Sequence, residues 1–432
     1  MRKFVDEAND IFPGFSNQNK TSDIAYAATQ LAWNFTENQR GKIKNIESIE
    51  KYIRSNITGG IMDKYSSEFS ESDSCEKIRH DFGNLPVFVI DNPTAKEIDD
   101  GISLEHLDHM GEKITWVHIH IADPTVFIPE NNFLSLIANY RQSSIYLPER
   151  HFSMMPDVIS AKKCNLGASP YAMTFSARLS SNGDIVDFKI RPSIIRNVQF
   201  INYNEVDKVI SHEYVYGTDS VSVMEKSPWT MFVLHHRKAN QENPSEKALE
   251  QKGILLDLQN IARAHFHFRT RNGGILNDQP EYSLRLEPYP TEILPPLPKT
   301  SVQDFEDKCY PSIELDSFNP SYLSPSRLMV AEFMIIAGRV AAAFCFEKKV
   351  PCLYRTQKNY KSSNSFKSLS IHQQTVVDQT FRERDEISKV LPYMEFQRVL
   401  PYMLHSNFTT RPYGHSSMGI PGYNYKGKWL GG

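Results

Sequence analysis

Cysteine is scarce in this chain. Its 432 residues include five, at positions 75, 164, 309, 345 and 352, odd in number, scattered and without a C-x-x-C pair. That pattern argues against a zinc ribbon and suits a reducing compartment. Long uncharged apolar runs are missing too: the longest apolar helical stretch, Met329 to Phe346, carries Glu332 and Arg339 in its interior, which a lipid-facing span would not readily tolerate. No membrane segment is expected. Residues 1–20 lack the apolar core of a secretory signal, and Asp6, Glu7 and Asp10 do not fit an acid-poor presequence. Nor is positive charge in surplus. A formal net charge of -3 gives no global attraction for nucleic acid, so any such contact must be local. No internal repeat is visible. What the chain does hold is 40% hydrophobic residues, enough for a sizeable core in two or three domains, or in one large domain with appendages.

Ser22 caps a helix expected over residues 22–36, and Ile46, Ile49 and Ile53 stripe a second over 45–54. The acidic, Ser-rich stretch 66–74 reads as a linker, so residues 1–80 form a helical appendage with a boundary near 80. Beyond it, strands are expected at 87–90 (VFVI) and 115–122 (TWVHIHIA), then a helix near 132–141. Asn182-Gly183 supplies the positive backbone angles of a tight turn, which makes 173–195 a hairpin. A long helix is expected from about Ser245 to Thr270, with Leu249, Ile254, Leu258, Ile261, His265 and Phe268 near helical spacing. A Pro-rich connector, 288–298, leads to a helix from Ser326 to Phe346. The alternation of strands, hairpin and helices points to a mixed α/β (α+β) domain over about 80–420.

Residues 90–105, IDNPTAKEIDDGISLE, place Asp91, Glu97, Asp99 and Asp100 straight after an apolar strand, with Lys96 alone against them. Converging beside the core, four carboxylates need raised pKa values or bound cations. An oxygen-only donor set suits magnesium better than zinc. Two such ions roughly 3.5–4 Å apart can activate a water and stabilise the leaving oxygen of a phosphodiester, so a nuclease makes chemical sense. The charge pattern fits a solvated acidic turn, with Asp99-Asp100-Gly101 reversing the chain, equally well. An EF-hand is excluded, because no start in the segment puts Gly sixth and Glu twelfth. His118 and His120 share a strand face and could ligate a metal with Asp123. Satisfied sheet histidines are the commoner case, and no zinc is expected.

Read together, IDNPTAKEIDDGIS, HIHIADPTVFI and YRQSSIYLPERHFSMMPDVISAKKCNL resemble, in order and separation, the signature blocks of the ribonuclease II or RNB family. The resemblance continues through FSARLSSNGDIVDFKIRPSII, INYNEV and MVAEFMIIAGRVAA to GHSSMGIPGY, roughly residues 85–423. It implies a catalytic domain over 81–423, with twisted β-sheets flanked by helices around an RNA channel. It also implies magnesium-dependent, processive 3′-to-5′ hydrolysis of single-stranded RNA to nucleoside 5′-monophosphates. Asp91, Glu97, Asp99 and Asp100 fall on the family's four acidic positions at the metal site, Asp91 and Asp100 as ligands and Asp99 as the carboxylate that activity depends on most. Glu97 departs from the usual Asp, and water in a magnesium shell can absorb its extra methylene. The EIDD form resembles the fungal mitochondrial degradosome branch. That implies a mitochondrial location, with the cytoplasm as alternative, and an RNA helicase as partner. Tyr146 and Tyr203 fall on aromatic positions that contact RNA bases, where ordinary sheet tyrosines are the plain alternative. Glu332, costly if unpaired in an apolar helix, falls on a position that approaches RNA; the alternative pairs it with Arg327 or Arg339 on a partly exposed face.

After GHSSMGIPGY the family continues with a TSPIRRYxD segment, whose arginine contacts the scissile end of the RNA, and later with an S1-type barrel. Here residues 424–432 read NYKGKWLGG and do not match. The family's small N-terminal oligonucleotide-binding barrels are likewise not evident in the first 80 residues. The expectation is a chain that stops short of a complete active site. Its alternative function is a catalytically weak, RNB-fold RNA-binding or scaffold protein. A small-molecule phosphoesterase would keep the acidic loop but leave Tyr146 and Tyr203 without a role.

Overall fold

The structure, a computed structural model, describes residues 73–93, 95, 97–109, 111–130, 134, 135, 138, 139, 142–146, 151, 152, 154, 155, 163–216, 244–278, 281–287, 312–319, 324–382, 390–392 and 404–422. The helices expected over 22–36 and 45–54, and most of the one near 132–141, lie outside the described residues. The chain divides into two compact units: Met1–Glu76, Asp123–Ser169 and Tyr282–Asn319 form one, and Lys77–Ala122, Pro170–Glu281 and Pro320–Gly432 the other.

Strands β1 (His80–Asp81), β2 (Pro86–Asp91), β3 (Asp100–His109) and β4 (Glu112–Ala122) open the second unit. A short antiparallel pair, β5 (Ile145–Tyr146) and β6 (His151–Phe152), belongs to the first. Strands β7 (Tyr171–Leu179), β8 (Ile185–Ile194) and β9 (Asn197–Asn202) return to the second unit. There they complete a seven-stranded sheet in the order β1-β8-β7-β4-β3-β2-β9. β1 on β8 and β2 on β9 pair in parallel, and the other neighbours are antiparallel. The sheet is therefore mixed. β7 and β8 are the hairpin expected from Asn182-Gly183: Gly183 holds a φ of 86°, which glycine adopts without steric cost.

Four helices matter for the site: α1 (Tyr203–Tyr216), α2 (Glu246–Glu250), α3 (Lys252–Arg271) and α4 (Pro325–Lys348). The single helix expected from Ser245 is two, capped by Ser245 and broken at Gln251, two residues before Gly253, a weak helix former. The break turns Leu249 outward, 43% exposed, so the buried stripe runs through Leu255, Leu258, Ala262 and Phe266 instead. Phe88, Ile102, Val117 and Ile119 from one face of the sheet meet that stripe and Met329, Phe333 and Ile336 of α4 in one apolar core. Each fully buried large side chain there contributes roughly 1.5–3 kcal/mol. By length and composition α4 is apolar enough to cross a membrane, yet here it is the central helix of this core.

The opposite sheet face is polar, and it is closed around two histidines. His118 and His120 on β4 are 1% and 0% exposed. His118 Nδ1 bonds Ser176 Oγ, and His120 bonds Thr174 Oγ1 through Nδ1 and Ser103 Oγ through Nε2, each at 2.8 Å. Phe82 covers both rings, its centroid 4.9 Å from each. Burial, with Arg191 adding at His118 and His118 adding at His120, holds both imidazoles at a pKa of about 3, so they are neutral.

Candidate active site

Three strands of the large sheet end together, and the acidic loop lies where they end. Asp91, the last residue of β2, pairs with Asn202, the last of β9, so Tyr203 enters α1 beside it. β3 runs antiparallel to β2 with Phe88 opposite Ile102, a register that brings positions 91 and 99 opposite one another when continued toward the loop. The Asp99 carbonyl accepts the Ala122 N–H at 2.8 Å, tying the loop to β4. Asp100 then opens β3 opposite Ile121, partly buried, while Asp99 is exposed.

These acids share one electrostatic field. Partial burial, then repulsion from Asp91 and Asp99, pushes the Asp100 carboxyl up to about 6. Asp99 shifts the same way, through desolvation where the chain crowds its carboxyl and then through Glu97 and Asp91. Carboxylates that raise one another in this manner need positive counter-charge, and hard oxygen donors are the set that magnesium takes. The donor chemistry fits that ion, with Asp91, Glu97, Asp99 and Asp100 as the residues to hold it. Among the described residues, however, no three His, Cys, Asp or Glu side chains form a group able to hold a metal ion. The strands bring the acids to one end of the sheet without closing them into a ligand cage.

The N-terminus of α4 docks at the same place. Ser324 caps it, accepting the Arg327 N–H at 3.3 Å. The Ser326 N–H donates to Asp207 Oδ1 at 2.9 Å, and the Ser326 hydroxyl to the Tyr203 carbonyl at 3.2 Å. Arg327 then lies over the Tyr203 ring, 4.3 Å from its centroid, and its Nη2 donates to Asn92 Oδ1 at 2.9 Å. Tyr203 is thus the first residue of a helix and not a sheet tyrosine. Burial, with Asp91 adding, pushes its phenol up to about 12, so it remains protonated.

Glu332 sits elsewhere in this unit and is 2% exposed. Its partners are neither Arg327 nor Arg339 but two side chains of α3: Arg269, which donates through Nε at 2.9 Å and also through Nη2, and His265 at 2.6 Å. Burial alone would raise this carboxyl; Arg269 and His265 more than offset it and hold it at about 2. Arg269 also donates to the Met418 carbonyl at 2.7 Å, fastening the loop before residue 420 to the end of α3. Arg339 instead reaches Asp184 Oδ1 at 2.6 Å. Tyr146 lies in the first unit, on β5 opposite His151. Asp123, weighed with the two histidines as a ligand, accepts the Thr125 N–H at 3.2 Å.

Sequence reasoning missed Asn92 and Arg327 as neighbours of the acids, and Arg269 and His265 as partners of Glu332. For Arg327 a signal existed: it stands one turn into a helix that Ser324 caps, where side chains face whatever the N-terminus docks on.

Residues 79–425 match the RNB domain family. "Exoribonuclease II, mitochondrial" of Schizosaccharomyces pombe is 31% identical over 293 residues, 66% of this chain and 28% of that protein. "Mitochondrial protein cyt-4" of Neurospora crassa is 28% identical over 343 residues, 75% of this chain and 29% of that protein. The chain therefore spans less than a third of the length of these relatives. In fold it is similar to an active-site mutant of the Dss1 exoribonuclease from Candida glabrata, at a TM-score of 0.59 and 22% identity, covering 94% of this chain and 45% of that one. It is also similar to Mycoplasma genitalium RNase R in complex with ribose-methylated single-stranded RNA, at a TM-score of 0.56 and 16% identity over 85% of this chain and 53% of that one.

Proposed function

Because the chain belongs to the RNB family, we propose that it is the catalytic part of a hydrolytic 3′-to-5′ exoribonuclease that takes single-stranded RNA and releases nucleoside 5′-monophosphates. The observation that carries this reading is the meeting of Asp91, Asp99 and Asp100 at one sheet end, where desolvation and the neighbouring carboxylates push Asp99 and Asp100 up. A freely solvated turn would leave those carboxyls near their ordinary values. Asp91, Glu97, Asp99 and Asp100 are the residues that would hold magnesium, which when bound would supply a polarised water and counter-charge for the leaving oxygen. Asp99, exposed at the sheet end, is the carboxylate on which turnover depends most. Tyr146 and Tyr203 serve as aromatic contacts for the RNA, a sequence-tolerant mode that suits a general degrader. Glu332 reaches RNA only indirectly, through the Arg269 clasp that sets the loop at Met418. The mitochondrial names of two relatives support a place in mitochondrial RNA turnover; an RNA helicase as partner is part of this proposal and rests on the family resemblance alone.

Asp99→Asn tests this, in the present chain and in one extended with a relative's C-terminal length. Retention of a labelled single strand should persist, while magnesium-dependent release of monophosphate falls about a hundredfold or more. Unchanged turnover, or products bearing a 3′-phosphate, would sink the assignment. A second reading, an RNB-fold RNA-binding protein without turnover, draws on the missing ligand cage among the described residues; it requires parent and variant to retain RNA alike while neither releases product.

A further inference from the structure

We infer that Arg327, seated on Tyr203, is the phosphate-binding residue that holds the RNA backbone next to the acidic site. This rests on the exoribonuclease reading and names the contact by which that site grips its substrate. Four acidic side chains line the loop between β2 and β3, a poor surface for an approaching polyanion without cations to meet the strand. Among the described residues Arg327 is the cation that the fold delivers there, and its delivery is over-determined. The cap of α4 fixes its backbone, Ser326 ties that turn to Asp207 and to the Tyr203 carbonyl, and the guanidinium lies 4.3 Å from the Tyr203 ring centroid. One nitrogen donates to Asn92, whose own N–H is held by Asp91 Oδ1 at 2.6 Å.

With carboxylates so near, the default for an arginine is an ion pair, yet among the described residues Arg327 makes none: it contacts an amide oxygen and an aromatic face. A planar guanidinium stacked on a ring and held by one neutral acceptor keeps its charge and most of its donors for a ligand. Its fork geometry matches two oxygens of one phosphate, which a lysine cannot reproduce. The same stacking assigns Tyr203 a different part. One face of its ring is occupied by Arg327, so the tyrosine acts first as the platform for the arginine. Because Asn92 adjoins Asp91 in the chain, the phosphate held by Arg327 is one close to the scissile linkage at the 3′ end.

The test uses the full chain and a 5′-fluorescein single-stranded RNA, with binding read by anisotropy in EDTA across a salt series. Arg327→Ala should weaken affinity about tenfold and lower the slope of log K against log salt by about one. Arg327→Lys should restore the slope but only part of the affinity, and Lys361→Ala, a cation outside the site, should change little. Single methylphosphonate replacements along the 3′-terminal linkages add a readout that a misfolded variant cannot mimic: one linkage should weaken binding to the parent yet be indifferent to Arg327→Ala. If the parent binds with a normal salt slope and Arg327→Ala matches it in affinity and slope, or if every neutralised linkage affects both proteins alike, the assignment of Arg327 fails while the nuclease reading stands. A parent chain that retains no RNA at any salt overturns both.

Discussion

At the scale of single residues, the acidic loop carries a repulsion that folding has not relieved. Asp100 has its carboxyl pushed up from 3.8 to about 6, so the folded state loses stability relative to the unfolded chain as pH rises through that window, and above about 6 the cost is complete. Asp100→Asn should therefore make the metal-free protein more stable near neutral pH by about 1–3 kcal/mol, measured by urea unfolding in EDTA. The gain should shrink when magnesium is present, because the wild-type carboxylate then has its counter-charge. A variant less stable than the parent in EDTA would count against a strained site. This trade of stability for function was half legible in the sequence: the density of Asp91, Glu97, Asp99 and Asp100 after an apolar strand is a local pattern. The neighbours were not. Asn92, Tyr203 and Arg327 meet only because β2, β9 and α4 end at one place, and nothing local in the chain encodes that.

At the scale of elements, α3 and α4 are clasped by charge within an apolar interface. Glu332, Arg269 and His265 lie almost wholly out of water, and a buried pair broken from one side leaves the other charge uncompensated. Glu332→Gln should cost about 3–5 kcal/mol in urea unfolding, and backbone amides of residues 415–420 should exchange faster with deuterium, since Arg269 also holds the Met418 carbonyl. If exchange there stays unchanged while stability falls, the clasp acts on the helices alone. Sequence reasoning saw that a glutamate in MVAEFMIIAG needs a partner, but it searched along the same helix. The Asn182-Gly183 turn was legible because a tight hairpin is settled by its own residues. The break at Gln251 was not, because helical periodicity continues across it and gives no sign of where the stripe must restart.

At the scale of the whole second unit, acid should act first through the histidine-lined sheet face. His118 and His120 have an ordinary value of 6.5 and are held at about 3 in the fold, so the unfolded chain takes up protons that the folded one refuses. Their contribution is complete above about 6.5 and is lost progressively as pH falls toward 3. Between about pH 7 and about pH 5 each should cost roughly 2 kcal/mol, seen as a shift in urea midpoint, and His120→Gln should make that midpoint less pH-dependent by about one histidine's share, His415 and the other buried histidines keeping theirs. A midpoint equally flat in both proteins would mean that the face opens to water. Glu332 enters only later, as pH drops from its ordinary 4.5 toward about 2. The alternation in TWVHIHIA revealed a strand with one polar face; it could not reveal that Phe82, far from it in sequence, seals that face.

The backbone of α3 is touched directly at two points along its length. A Cβ on Gly183 would overlap the Ala264 carbonyl, and one on Gly419 the Arg269 carbonyl, so two turns from distant parts of the chain lie flush on the bare helix. The stretch between these points behaves as a gauge block. Adding one residue to it would rotate everything beyond by about 100° and advance it by about 1.5 Å, carrying Arg269 off both Glu332 and the loop at Met418. Length variation in this unit therefore belongs to its connecting segments, while the span of α3 from Ala264 to Arg269 is fixed by the two glycines that measure it.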